Sequence, residues 1–487
     1  MTPSPGGRRL ATVTIPAPDL HPEPFLSHAG GEPRGFWARR NRWVAHRGVA
    51  TEIRCQGPRS ADRFDEVREL ALELAREPLL APGAARAPEV RLYGGFSFRA
   101  DHDGDGVWGA FPSALFHLPR FELEGRASGD AWLRARALVG PDDAESALTR
   151  LRRDAEALRA ELTAMSDGPV RAPSGVGGRP TATERAAWES AVDEALSAIR
   201  EGRVTKAVLA RTLDVELDGE LDPAVVLSHL WEANRGSHVF LFEPEPGSAL
   251  LGAAPETVAT LRDGVFHATA VAGSIRRGES AAEQADLAAR LLASRKDRAE
   301  QRIALDDMVA RLETVAHQIR TDPEPHVLTL PRIQHLETTI RASVPAGTGV
   351  LDLLRLLHPT PAVCGLPRDA ALAFLGEEEP FQRGWYAGPV GWFDAEGNGV
   401  FAPALRTAVA VGRAWRLFAG AGIVEGSVPA LEWEETAIKF EPVLRALSAA
   451  GVRLDPDASP ALAPGARATS GLAPEDEGPA VDEAGSP

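Results

Sequence analysis

From Thr181 onward the apolar residues switch repeatedly between period two and helical spacing, without the regular strand-helix beat that builds a doubly wound parallel sheet. Thr181 and Glu184 form a T-x-x-E capping box, and Trp188, Val192, Ala195, Leu196 and Ile199 follow on one helical face, predicting a helix that ends near Gly202. The stretches VTKAVLARTLDVEL and HVFLFEP then alternate and are rich in Val and Leu, predicting strands. Helical spacing returns over 287–319 and 431–447. Such a mixture favours an α+β chain with large, mainly antiparallel sheets.

With 487 residues, 44% hydrophobic and 25% charged, the chain can form one large globular domain or two ordinary ones. Its formal net charge of -16 leaves no basic field to gather phosphate backbones or anionic lipid, which argues against nucleic-acid and membrane partners. An acidic chain that binds an anionic metabolite must concentrate positive charge locally, through a metal ion or convergent Arg and Lys. The two cysteines, Cys55 and Cys364, are too few for a disulfide framework and lack metal-site spacing, in keeping with a reducing cytoplasm. Arg8-Arg9 suggests twin-arginine export, but Pro16, Pro18, Asp19 and Pro22 break the stretch that follows, and no segment is long and apolar enough to span a bilayer.

Pro and Gly enrichment predicts disorder over 1–30, and the acidic, Ala/Pro/Gly/Ser-rich end predicts it over 455–487. The segment 173–180, PSGVGGRP, follows a predicted helix over 143–164 and reads as a linker or exposed loop. It would separate an N-terminal part of the fold, 31–172, from the chemistry-bearing region 181–450.

Individual motifs in that region are ambiguous when taken singly. Lys206 shares a strand face with Val204, Val208 and Ala210, surroundings that disfavour an ammonium and suit a base, or else it is an edge lysine that snorkels to solvent. Glu256 follows Pro255 at the start of a segment, as an acid aimed into a cavity or a solvated turn residue. Asp297 and Glu300, and again Glu432 and Glu435 with Lys439 beyond, occupy single helical faces. These are solvated acidic surfaces or, from two helices together, an oxygen-only donor set suited to Mg²⁺. Arg406 shares its strand face with Ala402, Ala404 and Ala408, which leaves room for an anion beside the guanidinium; a surface salt bridge is the competing account. The bend Gly420-Ala421-Gly422 is either a plain turn or a set of N–H groups presented to a carboxylate.

The order of these motifs carries more information than any one of them. KAVLAR (206–211), GAAPE (252–256), VAGSIRRG (271–278), LLASRKDRAE (291–300), IQHL (333–336), LHPTPAVCGLP (357–367), WYAGPVGWFD (385–394), ALR (404–406), GAGIVEGS (420–427) and EWEETAIK (432–439) together closely resemble the chorismate-utilising enzymes. That family includes isochorismate, salicylate, anthranilate and aminodeoxychorismate synthases. The resemblance covers about 180–447 and implies two layered antiparallel sheets around a cleft for chorismate. It implies Mg²⁺ bound by Glu300 and Glu435, with Asp297 and Glu432 holding its waters. Tyr386, Arg406, Lys439 and the backbone near Gly420 and Gly422 would grip the enolpyruvyl carboxylate. Lys206 would activate water for attack at C2, and Glu256 would protonate the departing C4 hydroxyl. Gly273, Ser274, His335, His358 and Ala362 would line the ring.

Within the family, aminodeoxychorismate synthases often carry a nucleophilic lysine where this chain has Ala272, and salicylate synthases usually have Thr where it has Ala362. The Leu-Leu-Glu-Ser tryptophan-binding element of anthranilate synthases is missing. Gln301 stands where many relatives have His. The resemblance therefore implies water as nucleophile and reversible conversion of chorismate to isochorismate, without a glutamine amidotransferase subunit. Salicylate synthase, then anthranilate synthase component I, are the alternatives.

Overall fold

The computed structural model describes residues 9–56, 63–74, 79–80, 90–126, 129–140, 143–165 and 175–455. The long strand Ala114–Arg126 is the hinge of the architecture. One arm of sheet runs from it through Arg42–Cys55, Arg34–Arg39, His238–Glu245, Ser248–Ala254, Thr407–Val411 and Ala414–Ile423 to Lys206–Leu217. The other runs through Arg91–Phe96, Pro389–Asp394, Gly399–Pro403, Ala259–Arg262 and Val265–Arg276 to Ile333–Ser343. All these pairings are antiparallel, as the mixed periodicity predicts.

The two arms layer face to face. Phe240 and Leu250 of the first share a buried cluster with Val390, Trp392 and Ala402 of the second. Helices Pro223–Ala233 and Pro429–Ala449 cover the outer face of the first arm, Ala144–Met165 packs on the strands Arg9–Pro16 and Ala131–Val139, and Arg295–Leu312 and Val350–Leu357 cover the second arm. The inner faces bury apolar side chains on both sides of the interface, so these strands read as nearly continuous apolar runs.

Three boundaries differ from the sequence-based expectation. Residues 9–16 form a strand paired residue for residue with Ala131–Val139, and Pro22–Ser27 is a helix, so disorder over 1–30 does not hold from Arg9 onward. Alternating Ala11, Val13 and Ile15 bury one face of that strand, a period that Pro and Gly content conceals. Within 173–180, Val176–Ala182 is a strand paired with both Lys206–Leu217 and Val452–Leu454. No separation follows it, because strands from 31–172 and from 181–450 interleave in both arms. The tail expected to be disordered lies, from residue 456, outside the described residues.

A buried ion pair braces the strand that carries Lys206. Arg383 donates to Glu379 through Nε at 2.7 Å, to the Val363 carbonyl at 2.8 Å and to the Val208 carbonyl at 2.5 Å. Glu379 in turn accepts from the Ala210 N–H at 2.9 Å. The two side chains are only 3% and 5% exposed. Glu379→Ala would leave a guanidinium buried without its charge partner, and the expected loss is about 3–5 kcal/mol of stability, measured by urea denaturation.

Candidate active site

Lys206 is the first residue of its strand and is fully buried, so it does not snorkel. Its Nζ lies 2.9 Å from Glu300 Oε1 without a well-aligned hydrogen bond. The apolar strand face expected around it thus also holds a carboxylate from the helix Arg295–Leu312. Space for this pair comes from Gly422 on the neighbouring strand, where a Cβ would sit 2.1 Å from Glu300 Oε1 and 2.9 Å from Lys206 Cε. The second Glu300 oxygen accepts the Gly273 N–H at 3.2 Å. Gly273 interrupts its strand at a register shift with φ +72°, a conformation that favours glycine.

Glu256 is 3% exposed, and its Oε1 has no hydrogen-bond partner among the described residues. Burial raises its pKa to about 8, against the opposing pull of Lys206. The side chain is therefore a neutral acid at physiological pH, with a proton to give.

His335 and Arg406 form a fixed unit. The Arg406 Nη2 donates to His335 Nε2 at 3.1 Å, so the ring proton resides on Nδ1, which faces the Gly273 carbonyl at 3.2 Å and Ser274 Oγ at 2.9 Å. Burial, then the Arg406 and Lys439 charges, hold the imidazole neutral with its pKa near 3. Burial also lowers Arg406 to about 10, which leaves it charged at neutral pH. The expected continuous strand through Arg406 is broken: strands end at Pro403 and resume at Thr407, and Arg406 itself has φ +52°. A non-glycine residue held in the left-handed region is a strained arrangement of the kind found at functional sites.

Except for Lys206, which lies behind the wall against Glu300, these residues surround a cleft. Glu256, Gly273, Ser274, Glu300, His335 and Ala362 line it, as do Tyr386, Arg406, Gly420, Gly422, Glu435 and Lys439. Tyr386 stacks on Phe418 with ring centroids 4.9 Å apart. Lys439 bridges Glu435 and the Gly420 carbonyl, at 2.5 and 2.8 Å. His358 does not line the cleft: its Nε2 bonds the Phe98 carbonyl at 3.0 Å, and burial lowers its pKa to about 3, which makes it an internal prop. The family resemblance implies a ring-lining HPT loop at His358; of the residues there, Ala362, four positions on, does reach the cleft.

The four acids are buried or partly buried rather than solvated. Glu432 is 1% exposed and its Oε1 meets Lys296 Nζ at 2.6 Å; Asp297 bonds Ser294. Burial raises both pKa values, with Glu435 adding to the rise on Glu432 and Glu300 and Glu435 adding to that on Asp297. Burial would raise Glu435 too, but Lys439 and Lys296 bring it below the usual carboxylate value. No three acidic, His or Cys side chains among the described residues stand together at ligating distance; each of the four carboxylates is turned to a lysine Nζ or a hydroxyl. The donor chemistry nonetheless fits Mg²⁺: hard oxygens only, from two helices, with mutual repulsion that a divalent cation would relieve. Lys296 was overlooked by sequence reasoning. The only signal for it was its place directly before Asp297.

A neutral buried acid and convergent arginine and lysine in one cleft, with a second, buried lysine held against the lining carboxylate Glu300, define an enzyme of acid-base chemistry on an anionic small molecule. The family model described as chorismate binding enzyme matches residues 4–448, and the chain belongs to that family. It is 36% identical over 412 residues to the salicylate biosynthesis isochorismate synthase of Pseudomonas aeruginosa, covering 83% of this chain and 82% of that one. It is 31% identical to the isochorismate synthase MenF of Bacillus subtilis, over 88% and 91% of the two chains. Among solved structures, the menaquinone-specific isochorismate synthase MenF of Escherichia coli superposes with TM-score 0.71 at 25% identity, covering 90% of this chain and 95% of that one. No helix among the described residues is long and apolar enough to cross a membrane.

Proposed function

We propose that this protein is an isochorismate synthase, which interconverts chorismate and isochorismate. The observation that carries this reading is the buried, protonated Glu256 that lines the cleft with its Oε1 unbonded, and the buried Lys206 close enough to pull on its charge. Isomerisation needs one group to take a proton from water and another to give one to a departing hydroxyl. Lys206 Nζ accepts the water proton as oxygen bonds to C2, the ring double bonds shift, and Glu256 protonates the C4 oxygen as its bond to carbon breaks. A water enters and a water leaves, so the reaction is redox-neutral and reversible. Arg406, Tyr386 and Lys439 would hold the enolpyruvyl carboxylate, and His335 keeps the guanidinium oriented through its hydrogen bond.

Glu300 and Glu435 would hold Mg²⁺, with Asp297 and Glu432 behind them holding its waters; when bound, the ion supplies positive charge for the ring carboxylate. Glu435→Gln should raise the Mg²⁺ concentration needed for half-maximal activity by at least tenfold, and an unchanged magnesium titration would remove Glu435 from the ligand set. Since water is the nucleophile, no amidotransferase subunit is required. The reading places the enzyme in the cytoplasm, in keeping with two free, buried cysteines.

Incubating the protein with chorismate and Mg²⁺ tests the reading. The expected product is isochorismate, approached from either side. Salicylate with pyruvate as the dominant products would replace it with a salicylate synthase, and ammonia-dependent anthranilate would replace it with anthranilate chemistry. The relatives bear names that specify menaquinone and salicylate biosynthesis. Either pathway begins with the same isomerisation.

A further inference from the structure

Arg211 closes the motif KAVLAR, five positions after Lys206 on the strand Lys206–Leu217, and the reaction assigned above makes no use of it. Its side chain is completely buried, and among the described residues no carboxylate pairs with it; burial alone lowers its pKa to about 9, which leaves it a cation at neutral pH. Its Nε donates to Thr436 Oγ1 at 2.7 Å, and that hydroxyl donates in turn to the Trp433 carbonyl at 2.7 Å. The Arg211 Nη2 donates to the same carbonyl at 3.4 Å, while Nη1 has no partner. The guanidinium carbon lies 3.6 Å from the centroid of the Trp433 ring and 4.9 Å from that of Phe440. A guanidinium buried without a carboxylate is costly, and an apolar side chain of similar length would fill the space without that cost. What the apolar side chain would lack is the directed bond to Thr436.

All of these contacts fall on the helix Pro429–Ala449, which also carries Glu432, Glu435 and Lys439. Trp433, Thr436 and Phe440 directly follow those three residues in turn. Successive helical residues are about 100° apart, so any rotation of the face held by Arg211 turns the charged face by the same angle. Pro442 lacks an N–H and takes one backbone hydrogen bond out of the helix between its two halves. Val443, Ala446 and Leu447 anchor the half beyond it in the apolar core. The half that bears the acids has Arg211 as its polar anchor to the strand of Lys206.

We propose that Arg211 is a positioning residue, which sets the rotation of this helix through Thr436 and Trp433 and thereby aims Glu435 into the cleft and Glu432 at Lys296. Its functional readout rests on the Mg²⁺ assignment above; its structural readout does not. Mg²⁺ is titrated calorimetrically, without substrate and below each thermal midpoint, into the parent and into Arg211→Met, Thr436→Val and Thr436→Ser. Affinity is expected to fall at least tenfold in Arg211→Met and Thr436→Val and to stay at the parent value in Thr436→Ser, which keeps the hydroxyl. Crystal structures of the same proteins without metal read the geometry directly. The contact between Lys296 and Glu432, 2.6 Å in the parent, is expected to open in Arg211→Met and Thr436→Val and to persist in Thr436→Ser. Lower thermal midpoints with metal affinity and this contact both unchanged would reduce Arg211 to a packing element and overturn the proposal, as would equal losses in Thr436→Ser and Thr436→Val. A parent that binds no Mg²⁺, with the contact still opening in the two variants, would sink the metal assignment and support the positioning role.

Discussion

Replacing Glu256 with Gln is expected to lower kcat for chorismate by about 10²–10⁴-fold, the usual contribution of a general acid. The amide matches the carboxylic acid in shape and has no proton to transfer, so substrate binding should change much less than kcat. The pH dependence makes the test specific. Glu256 keeps its proton up to about pH 8, so the activity that depends on it falls as pH rises through that value, and the residual activity of Glu256→Gln should lack this limb. Stability gives a second readout. Between the ordinary glutamate value of 4.5 and about 8, the folded chain holds a proton that the unfolded chain has lost, so this group's contribution to stability declines as pH rises across that window. The parent should lose more thermal stability than Glu256→Gln between pH 5 and pH 8. A parallel decline in both would mean that Glu256 is ionised in the folded enzyme and cannot be the acid.

Lys206→Ala should remove turnover by a comparable or larger factor, about 10³-fold or more, equivalent to roughly 4 kcal/mol of transition-state stabilisation. Two roles must be separated, since the same Nζ lies 2.9 Å from Glu300 Oε1. If Lys206 is the base, kcat collapses while magnesium affinity, measured by calorimetry without substrate, changes little. If it serves mainly to hold Glu300, metal affinity falls with activity and the catalytic assignment is lost. The buried lysine also explains why Gly422 cannot carry a side chain: any Cβ there meets both members of the pair.

Much of this site is legible from residue order. Lys206, Glu256, Glu300, Arg406 and Glu435 each sit in a short motif, and period-two and helical spacing assign the strand under Lys206 and the helices under the two main acids. Other features are not legible because they depend on where distant segments come to rest. Lys206 and Glu300 are 94 positions apart, and nothing local to either announces the other. Lys296 lies in plain view beside Asp297, yet its partner Glu432 is 136 positions away. His335 and His358 look alike in sequence, each a histidine in a motif. Tertiary contacts divide them, one holding Arg406 from within the cleft and the other bonded to the Phe98 carbonyl.

The concavity lined by Trp37, Arg39, Arg262 and Trp392 is a more extreme case. FWARRNRW shows arginines between tryptophans, but a charge run of that kind is usually a solvated face. It becomes a concavity only because Arg262 and Trp392 arrive from the other arm of the sheet.

What the sequence by itself determined is the class of elements, the family and the residue types that do the chemistry, since hydrophobic period and motif order are local properties. Only the tertiary structure decided that strands from both ends of the chain interleave, that 9–16 and 176–182 are strands, and which charge each buried acid faces. Strand periodicity specifies which face of a strand is buried but not the strand it pairs with. A buried carboxylate takes its protonation from the desolvation and charges around it, and those come from segments far away along the chain.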